Sequence, residues 1–366
     1  MRVVIVAHAF PPYKGGLSYV VENLSLNLAR MGFEVEVLTL DVTGGLPRYE
    51  EYGGVHVRRF RGYAPDNCYF IPSTEFVRYL KRVEADVVHV HNIGSALTPI
   101  AIYSVSKGTG RPKVVVSPHH HESGSRWHTK IAWLFYKPIA RGSLRRADVV
   151  HAVSRYEASL IKKDFGLEAV VVPNGVSEDV FKYRWSPPKD RIVLTYAGRV
   201  ERYKRVDLVL GVAVELAKSN LDVTVRVIGE GADLQRVIRL AKSAGVSLEA
   251  PGFLPREEYL EALSRSTVLV NLSDYEAYSI VTAEALAMGV PAVIAEPWGR
   301  TFEGISGAYV VNKYRVREVA ETVAKVYSRV GDPTYSTHSS RSSVSEGILP
   351  WYRVVEQVVQ KLYLWA

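Results

Sequence analysis

Cysteine is all but missing: Cys68 is the single thiol in a chain of 366 residues. One cysteine excludes an internal disulfide framework and a cysteine-rich zinc cluster, and it suits a reducing cytoplasm. No stretch reaches the ~18 uninterrupted apolar residues that a membrane-spanning helix needs. The opening MRVVIVAHAF carries one arginine before a short apolar burst that soon meets Pro11-Pro12, which does not match a secretory signal. Neither HExxH nor GxGxxG occurs, so zinc-protease and dinucleotide-binding chemistry both lack their usual patterns. Internal repeats are absent too.

What is present is basic. A formal charge of +8 and a pI near 9.3 favour anionic partners such as nucleotides, nucleic acid or anionic lipid. A generally basic proteome would give the same balance. Apolar content of 47% is enough for full cores, and the length points to two domains at roughly 100–200 residues each.

Arg2 to Ala7 reads as a fully buried strand, and PPYKGG leads from it into a helix over Leu17–Met31. Gly15 and Gly16 open that helix, where adjacent glycines let a ligand approach the backbone or simply make the turn. Strands follow at Glu34–Leu40, Val55–Phe60, Asp86–Val90, Lys113–Ser117 and Asp148–Val153, with a helix over Ser73–Val83. Ser154 is a fitting N-cap for a helix running to Phe165. Strands alternating with helices build a parallel sheet, with ligands beyond the carboxyl ends of its strands. VVPNGVS (171–177) ends this half in turn chemistry, and SPPKD marks a linker.

A second sheet begins at Arg191–Ala197, followed by GRVERYKRVD and a helix to Ser219. Arg199 and Lys204 flank this strand-to-helix turn, where two cations beside a helix N-terminus suit a diphosphate, though R-x4-K is common and fits a solvated surface pair as well. Val223–Ile228 with GEG after it, and Glu249 to Pro255, repeat the strand-then-glycine pattern. Val268–Leu272 is a strand leading into DYEAYSIVTAEALAMGVP (274–291). There IVTAEALAM is apolar on every side except for Thr282 and Glu284, which marks a buried helix. A carboxylate buried there needs a partner. Glu276 falls in the entering loop, and Tyr278, Ser279 and Ile280 stand at the helix start, where free amides favour an anion. An ordinary buried helix with a backbone-bonded glutamate fits the stretch equally well. Residues 331–347 read as a loop, and Trp351–Leu364 as an amphipathic helix.

Two further stretches invite readings. His119, His120 and His121 stand together, with His89 and His91 before them. Consecutive histidines on regular backbone cannot all face one ion, so a metal is not expected; His119, just past a strand's carboxyl end, is better placed for a substrate hydroxyl, the other reading being a structural role in the loop. Residues 125–147 interleave Arg126, Lys130, Lys137, Arg141, Arg145 and Arg146 with Trp127, Trp133, Phe135 and Tyr136, and contain no acid. Such a helix can lie on an anionic membrane, or pack its rings inward while the cations snorkel.

The ordered set PPYKGG, SPHHHESG, VSRYEA, VPNGVS, AGRVERYKRVD, VIGEG and E-A-Y-S-I-V-T-A-E (276–284, an E-x7-E) resembles the retaining glycosyltransferases of family 4. That resemblance covers nearly the whole chain. It implies an α/β GT-B fold of two Rossmann-like doubly wound domains facing a central cleft. The boundaries expected are 1–172, a linker at 173–190, 191–345, and a C-terminal helix at 346–366 crossing back to the first domain.

By the same resemblance Arg199 and Lys204 bind the donor diphosphate, Glu284 takes the ribose hydroxyls, and Glu276 contacts the transferred sugar. Amides of Tyr278, Ser279 and Ile280 meet phosphate, and the base lies near Gly252, Phe253 and Leu254. His119 contacts the sugar, while Gly15 and Gly16 border phosphates and acceptor. The family usually has glycine where Ser279 stands; a positive φ there would strain serine.

The implied reaction is retaining transfer from a UDP-, GDP- or ADP-sugar to a glycan, lipid-linked or small-molecule acceptor. No cofactor, metal or nucleic acid is expected, and D-x-D is absent. The location implied is cytoplasmic, with 125–147 offering peripheral contact to the inner membrane face. The competing functions are a sugar-nucleotide 2-epimerase and an inactive sugar-nucleotide or nucleic-acid binder.

Overall fold

The computed structural model describes residues 1–65, 70–105, 111–121, 127–330 and 347–364, with backbone alone for 127–132. It divides into two units, Met1–Asn174 with Trp351–Ala366, and Gly175–Pro350. Cys68, residues 122–126 and the serine-rich stretch 331–346 lie outside the described residues.

The strands of the first unit are β1 Arg2–Val6, β2 Glu34–Asp41, β3 Tyr49–Tyr52, β4 Val55–Tyr63, β5 Ile71–Pro72, β6 Val87–His91, β7 Lys113–Ser117, β8 Val149–Ala152 and β9 Val170–Val171. They pair in the order β3-β4-β2-β1-β6-β7-β8-β9, with β5 on β4. Every pairing is parallel except β3 and β5 on β4. Continuous apolar runs such as VVIV in β1 are fully buried, because helices cover both faces of a parallel sheet. Those helices are α1 Gly16–Arg30, α2 Thr74–Leu80, α3 Leu97–Val105, α4 Trp127–Leu144 and α5 Arg155–Phe165. The β3–β4 hairpin escaped the sequence reading. Its signal was Gly53-Gly54, both at positive φ, the chemistry a tight hairpin turn requires.

The second unit has β10 Ile192–Ala197, β11 Val223–Ile228, β12 Ser247–Gly252, β13 Val268–Asn271, β14 Ala292–Ala295 and β15 Ala308–Val311, all parallel. Its order is β12-β11-β10-β13-β14-β15, which reverses direction between β10 and β13. In doubly wound sheets that reversal is where ligands bind. The helices are α6 Val206–Ala217, α7 Leu234–Ser243, α8 Arg256–Ser264, α9 Ile280–Ala287 and α10 Val316–Tyr327. Pro251 is tolerated in β12 because this strand lies at the sheet edge.

Residues 175–190, read as part of a linker, instead pack into the second unit. The Trp185 amide donates to the Met288 carbonyl at 3.0 Å, and its indole donates to the Ser266 carbonyl at 2.9 Å. An apolar ring in a proline-rich stretch anchors what composition alone marks as loose. The chain ends with α11, Trp351–Val358, which loosens into one π turn over Val359–Tyr363.

Candidate active site

Two loops leave the sheet at its switch point, 198–205 after β10 and 272–279 after β13. The first approaches the turn after β11 very closely. A Cβ at Gly229 would meet the Gly198 carbonyl oxygen at 2.1 Å, and one at Gly231 the Val200 oxygen at 2.3 Å. Glycine in GEG is thus required by backbone contact, which holds the 198–205 loop against the sheet. Lys204, on a short 3-10 turn, reaches across the switch point to Glu276, with its Nζ 2.5 Å from Oε1. Both side chains are largely buried, at 14% and 16% exposure. Burial disfavours the ammonium, but the Glu276 charge outweighs it and holds Lys204 above its usual range.

Arg199 is exposed. Its guanidinium donates to the Tyr203 hydroxyl at 3.3 Å, and among the described residues it makes no ion pair. Tyr203 and Tyr275 stack with ring planes 2° apart at 4.6 Å, and Asp274 donates its amide to the Tyr203 carbonyl. Lys313 fixes Asp274 through a 2.6 Å ion pair. The two loops are therefore one assembly, in which Arg199, like Arg202 on the same loop, makes no ion pair with a carboxylate among the described residues.

The start of α9 stands beside this assembly. Ser279 is the N-cap at φ −92°, ψ 103°, so the strain that a positive φ would impose is not there. Its Oγ accepts from Asn271 at 3.1 Å and from the Thr282 amide at 3.3 Å. The first-turn amides of Ile280 and Val281 have no intrahelical acceptor. Tyr278 packs its ring on Phe302, and burial pushes its phenol well above the usual range.

Glu284 is 2% exposed, and each of its oxygens accepts one hydrogen bond from the protein. Oε1 accepts from Arg256 at 2.6 Å and Oε2 from the Tyr259 hydroxyl at 2.6 Å. Arg256 also forks onto Asp179, at 2.9 and 3.1 Å. The partner that burial demanded is thus supplied from α8, where the sequence reading had the ribose supply it. Each carboxylate oxygen keeps a second lone pair for a further donor. Burial pushes the Glu284 carboxyl up, and Arg256 and Tyr259 oppose that. Gly252 ends β12 at φ +77°, Phe253 is 54% exposed, and Leu254 lines a cavity of about 640 Å³ with Arg226 and Glu249.

The remaining sequence candidates belong to the first unit. Gly15 caps α1 at φ +154°, and a Cβ on Gly15 or Gly16 would meet nothing within 4 Å. His119 follows β7 at φ +48°, an uncommon backbone for histidine. Its Nε2 bonds His91 Nδ1 at 3.0 Å. His120 turns elsewhere, to Asp164 at 2.8 Å, and His121 is exposed. The three neighbouring histidines therefore do not converge.

Glu157, missed as a functional residue, pins the His119 loop. Fully buried, it accepts from the His120 amide at 2.6 Å and the Val153 amide at 2.7 Å. Burial pushes its carboxyl up to about 8 against the pull of those amides. Its spacing from the N-cap Ser154, whose Oγ accepts from the Glu157 amide, is the legible capping-box signal. Arg256 and Tyr259 had no comparable signal, since REEYLEAL reads as an ordinary amphipathic helix.

The family profiles Glycosyltransferase Family 4 and Glycosyl transferases group 1 match residues 14–180 and 178–331 in succession. The chain is a family-4-type GT-B glycosyltransferase. It is 27% identical to a GDP-mannose-dependent alpha-mannosyltransferase of Mycobacterium tuberculosis (strain CDC 1551 / Oshkosh), covering 82% of this chain and 80% of that one. It is also 27% identical to the GDP-mannose-dependent alpha-(1-6)-phosphatidylinositol monomannoside mannosyltransferase of Mycolicibacterium smegmatis (strain ATCC 700084 / mc(2)155), covering 81% of each. In fold it matches sucrose-phosphate synthase of Thermosynechococcus elongatus with a TM-score of 0.80 at 16% identity, over 98% of this chain and 97% of that one. This glycosyltransferase is an enzyme that uses a nucleotide sugar. Among its described residues no helix is long and apolar enough to cross a membrane.

Proposed function

We propose that this glycosyltransferase moves a hexose from a nucleoside diphosphate sugar to an acceptor hydroxyl with retention of anomeric configuration and without a metal. The observation that carries the reading is the switch-point assembly. There, among the described residues, an arginine with no carboxylate partner and a glutamate-paired lysine stand together beside helix amides that have no intrahelical acceptor. A diphosphate leaving group gains charge as the glycosidic bond breaks, and fixed cations and amides stabilise that charge most where water is scarce. Arg199 and Lys204 carry that role, and Ile280 and neighbouring amides meet the phosphate. Glu276 contacts the sugar, and Glu284 offers its remaining lone pairs to the ribose. His119 bonds the sugar, Gly15 and Gly16 leave room for phosphates and acceptor, and Gly252 to Leu254 border the base. With no covalent nucleophile assigned, the acceptor attacks from the face the leaving group vacates.

GDP-mannose is the first donor to test, because two of the relatives above are named for it. A thermal-shift screen of GDP-, UDP- and ADP-sugars selects the donor, since a ligand that binds only the native state raises Tm. Product anomers read by NMR then decide the stereochemistry. A donor that binds but yields an inverted product would overturn the retaining reading.

The acceptor is a glycan or lipid-linked sugar met at the cytoplasmic membrane face. α4 supports this: Leu134, Phe135 and Ile139 are 69%, 77% and 51% exposed, Arg141 and Arg145 beside them are exposed, and the helix has no acid. Anionic liposomes should co-sediment the protein at low salt, and Phe135→Ser should release it. Equal recovery of both forms in the supernatant would count against a membrane-facing α4.

A further inference from the structure

His91 lies at the end of β6 with only 1% of its surface exposed, behind His119. The two rings stack at 5.3 Å with planes 19° apart, and their one hydrogen bond joins His91 Nδ1 to His119 Nε2. The other nitrogen of His91, Nε2, is buried without a partner among the described residues. His119 Nδ1 also has none among the described residues, but this ring is only partly buried.

Burial and neighbouring imidazoles hold both histidines well below their ordinary range, so both rings are neutral. A single proton then lies between them, with two possible arrangements. If His119 Nε2 donates, His91 must carry its own proton on Nε2, as a buried N–H with no acceptor. If His91 Nδ1 donates, the orphan is a bare lone pair. Orphaned buried N–H groups are the rarer of the two. The second arrangement also places the His119 proton on Nδ1, the nitrogen left open to a ligand.

We propose that His91 is a positioning residue that locks His119 in its Nδ1–H tautomer, so that His119 meets its ligand as a hydrogen-bond donor. The ligand atom is then an oxygen lone pair, as on a sugar hydroxyl, and His119 is not a base. The backbone supports a fixed geometry here. Asn92 and Ile93 donate their amides to the Ser117 and Pro118 carbonyls at 2.9 and 2.8 Å, tying the loops behind the two rings. His119 holds its left-handed φ between those bonds and the Glu157 clamp on His120.

The ligand half of this inference rests on the sugar-transfer reading; the tautomer half does not. Ring ¹⁵N–¹H two-bond correlation spectra of the full-length protein, with His119 assigned by its loss in His119→Gln, report the tautomer directly. The wild type should show a proton-bearing Nδ1 and a bare Nε2 on His119. His91→Asn, whose amide can still donate from the Nδ1 position, should keep that pattern. His91→Leu should lose it, and lower kcat about 10- to 100-fold with donor affinity little changed. A wild-type His119 protonated on Nε2, or a pattern unmoved in His91→Leu, would overturn the proposal even if that variant were inactive. A changed tautomer with an unchanged kcat would uphold the lock and reject His119's place in transfer.

Discussion

Glu284 is tied to three other side chains: Arg256, Tyr259 and, through Arg256, Asp179. Replacing it by alanine would remove the acceptor proposed for the ribose and one of the two carboxylates that Arg256 pairs with. Loss of a charge-assisted hydrogen bond costs about 1.5–3 kcal/mol, so donor affinity in Glu284→Ala should fall roughly 10- to 100-fold by calorimetry. Unchanged affinity would remove Glu284 from the donor site. The need for a partner was legible in IVTAEALAM, because no face of that helix is polar. The partner's identity was not, since Arg256 and Tyr259 lie 28 and 25 residues away on another helix and nothing local links them. Ser279 is the opposite case. The sequence raised a conformational doubt that only φ could answer, and the answer is an ordinary N-cap.

Among the elements, the buried core of the first unit has the strongest consequence. His151 donates from Nε2 to the Val172 carbonyl at 2.8 Å, which can only accept, and this sets every proton behind it. Ser117 must donate to His151 Nδ1, His89 Nε2 to Ser117, and the Tyr363 hydroxyl to His89 Nδ1, at 2.6, 2.6 and 2.8 Å. The π turn ending the chain carries Tyr363 to this row. Tyr363→Phe leaves His89 Nδ1 without its donor, and should lower stability by about 1–3 kcal/mol, visible as a lower Tm. A Tm equal to wild type would show that the row does not hold the C-terminal segment.

The same core makes stability depend on pH. Burial holds His8 and His151 at about 4, His119 at about 3, and His89 and His91 well below normal. These groups stay neutral when folded but take protons near 6.5 when unfolded. As pH falls from 6.5 toward 4 the unfolded state binds more protons, and each such histidine removes up to about 1.4 kcal/mol per pH unit. Glu157, raised to about 8, has the opposite slope between 4.5 and 8, and Glu284, also raised by burial, has it above 4.5, but these are two groups against five. Melting curves at pH 7.5, 6 and 5 should therefore show a steep acid loss; a flat Tm would refute neutral burial. The strands that hold these histidines were legible as apolar runs. Their mutual contacts were not, because parallel strands far apart in sequence bring HVH, Ser117 and His151 side by side.

At the scale of the whole molecule, one mainly parallel and one wholly parallel sheet each present loops beyond their carboxyl strand ends, and the proposed function gives the basic charge a place. In the proposed function that charge acts at Arg199, Lys204 and the helix α4. Alternating strands and glycine turns made the two-unit plan readable. The exit of 175–190 into the second unit was not readable, because Trp185 works through tertiary packing. The central claim is that side-chain cations, and no metal, neutralise the departing diphosphate. It is tested most directly by turnover of wild type and Arg199→Ala, measured side by side in excess EDTA with the donor chosen by the screen. The account predicts a wild type indifferent to the chelator and a variant slower by roughly 10²–10³-fold. A wild type silenced by EDTA, or an Arg199→Ala enzyme at full rate, would contradict it.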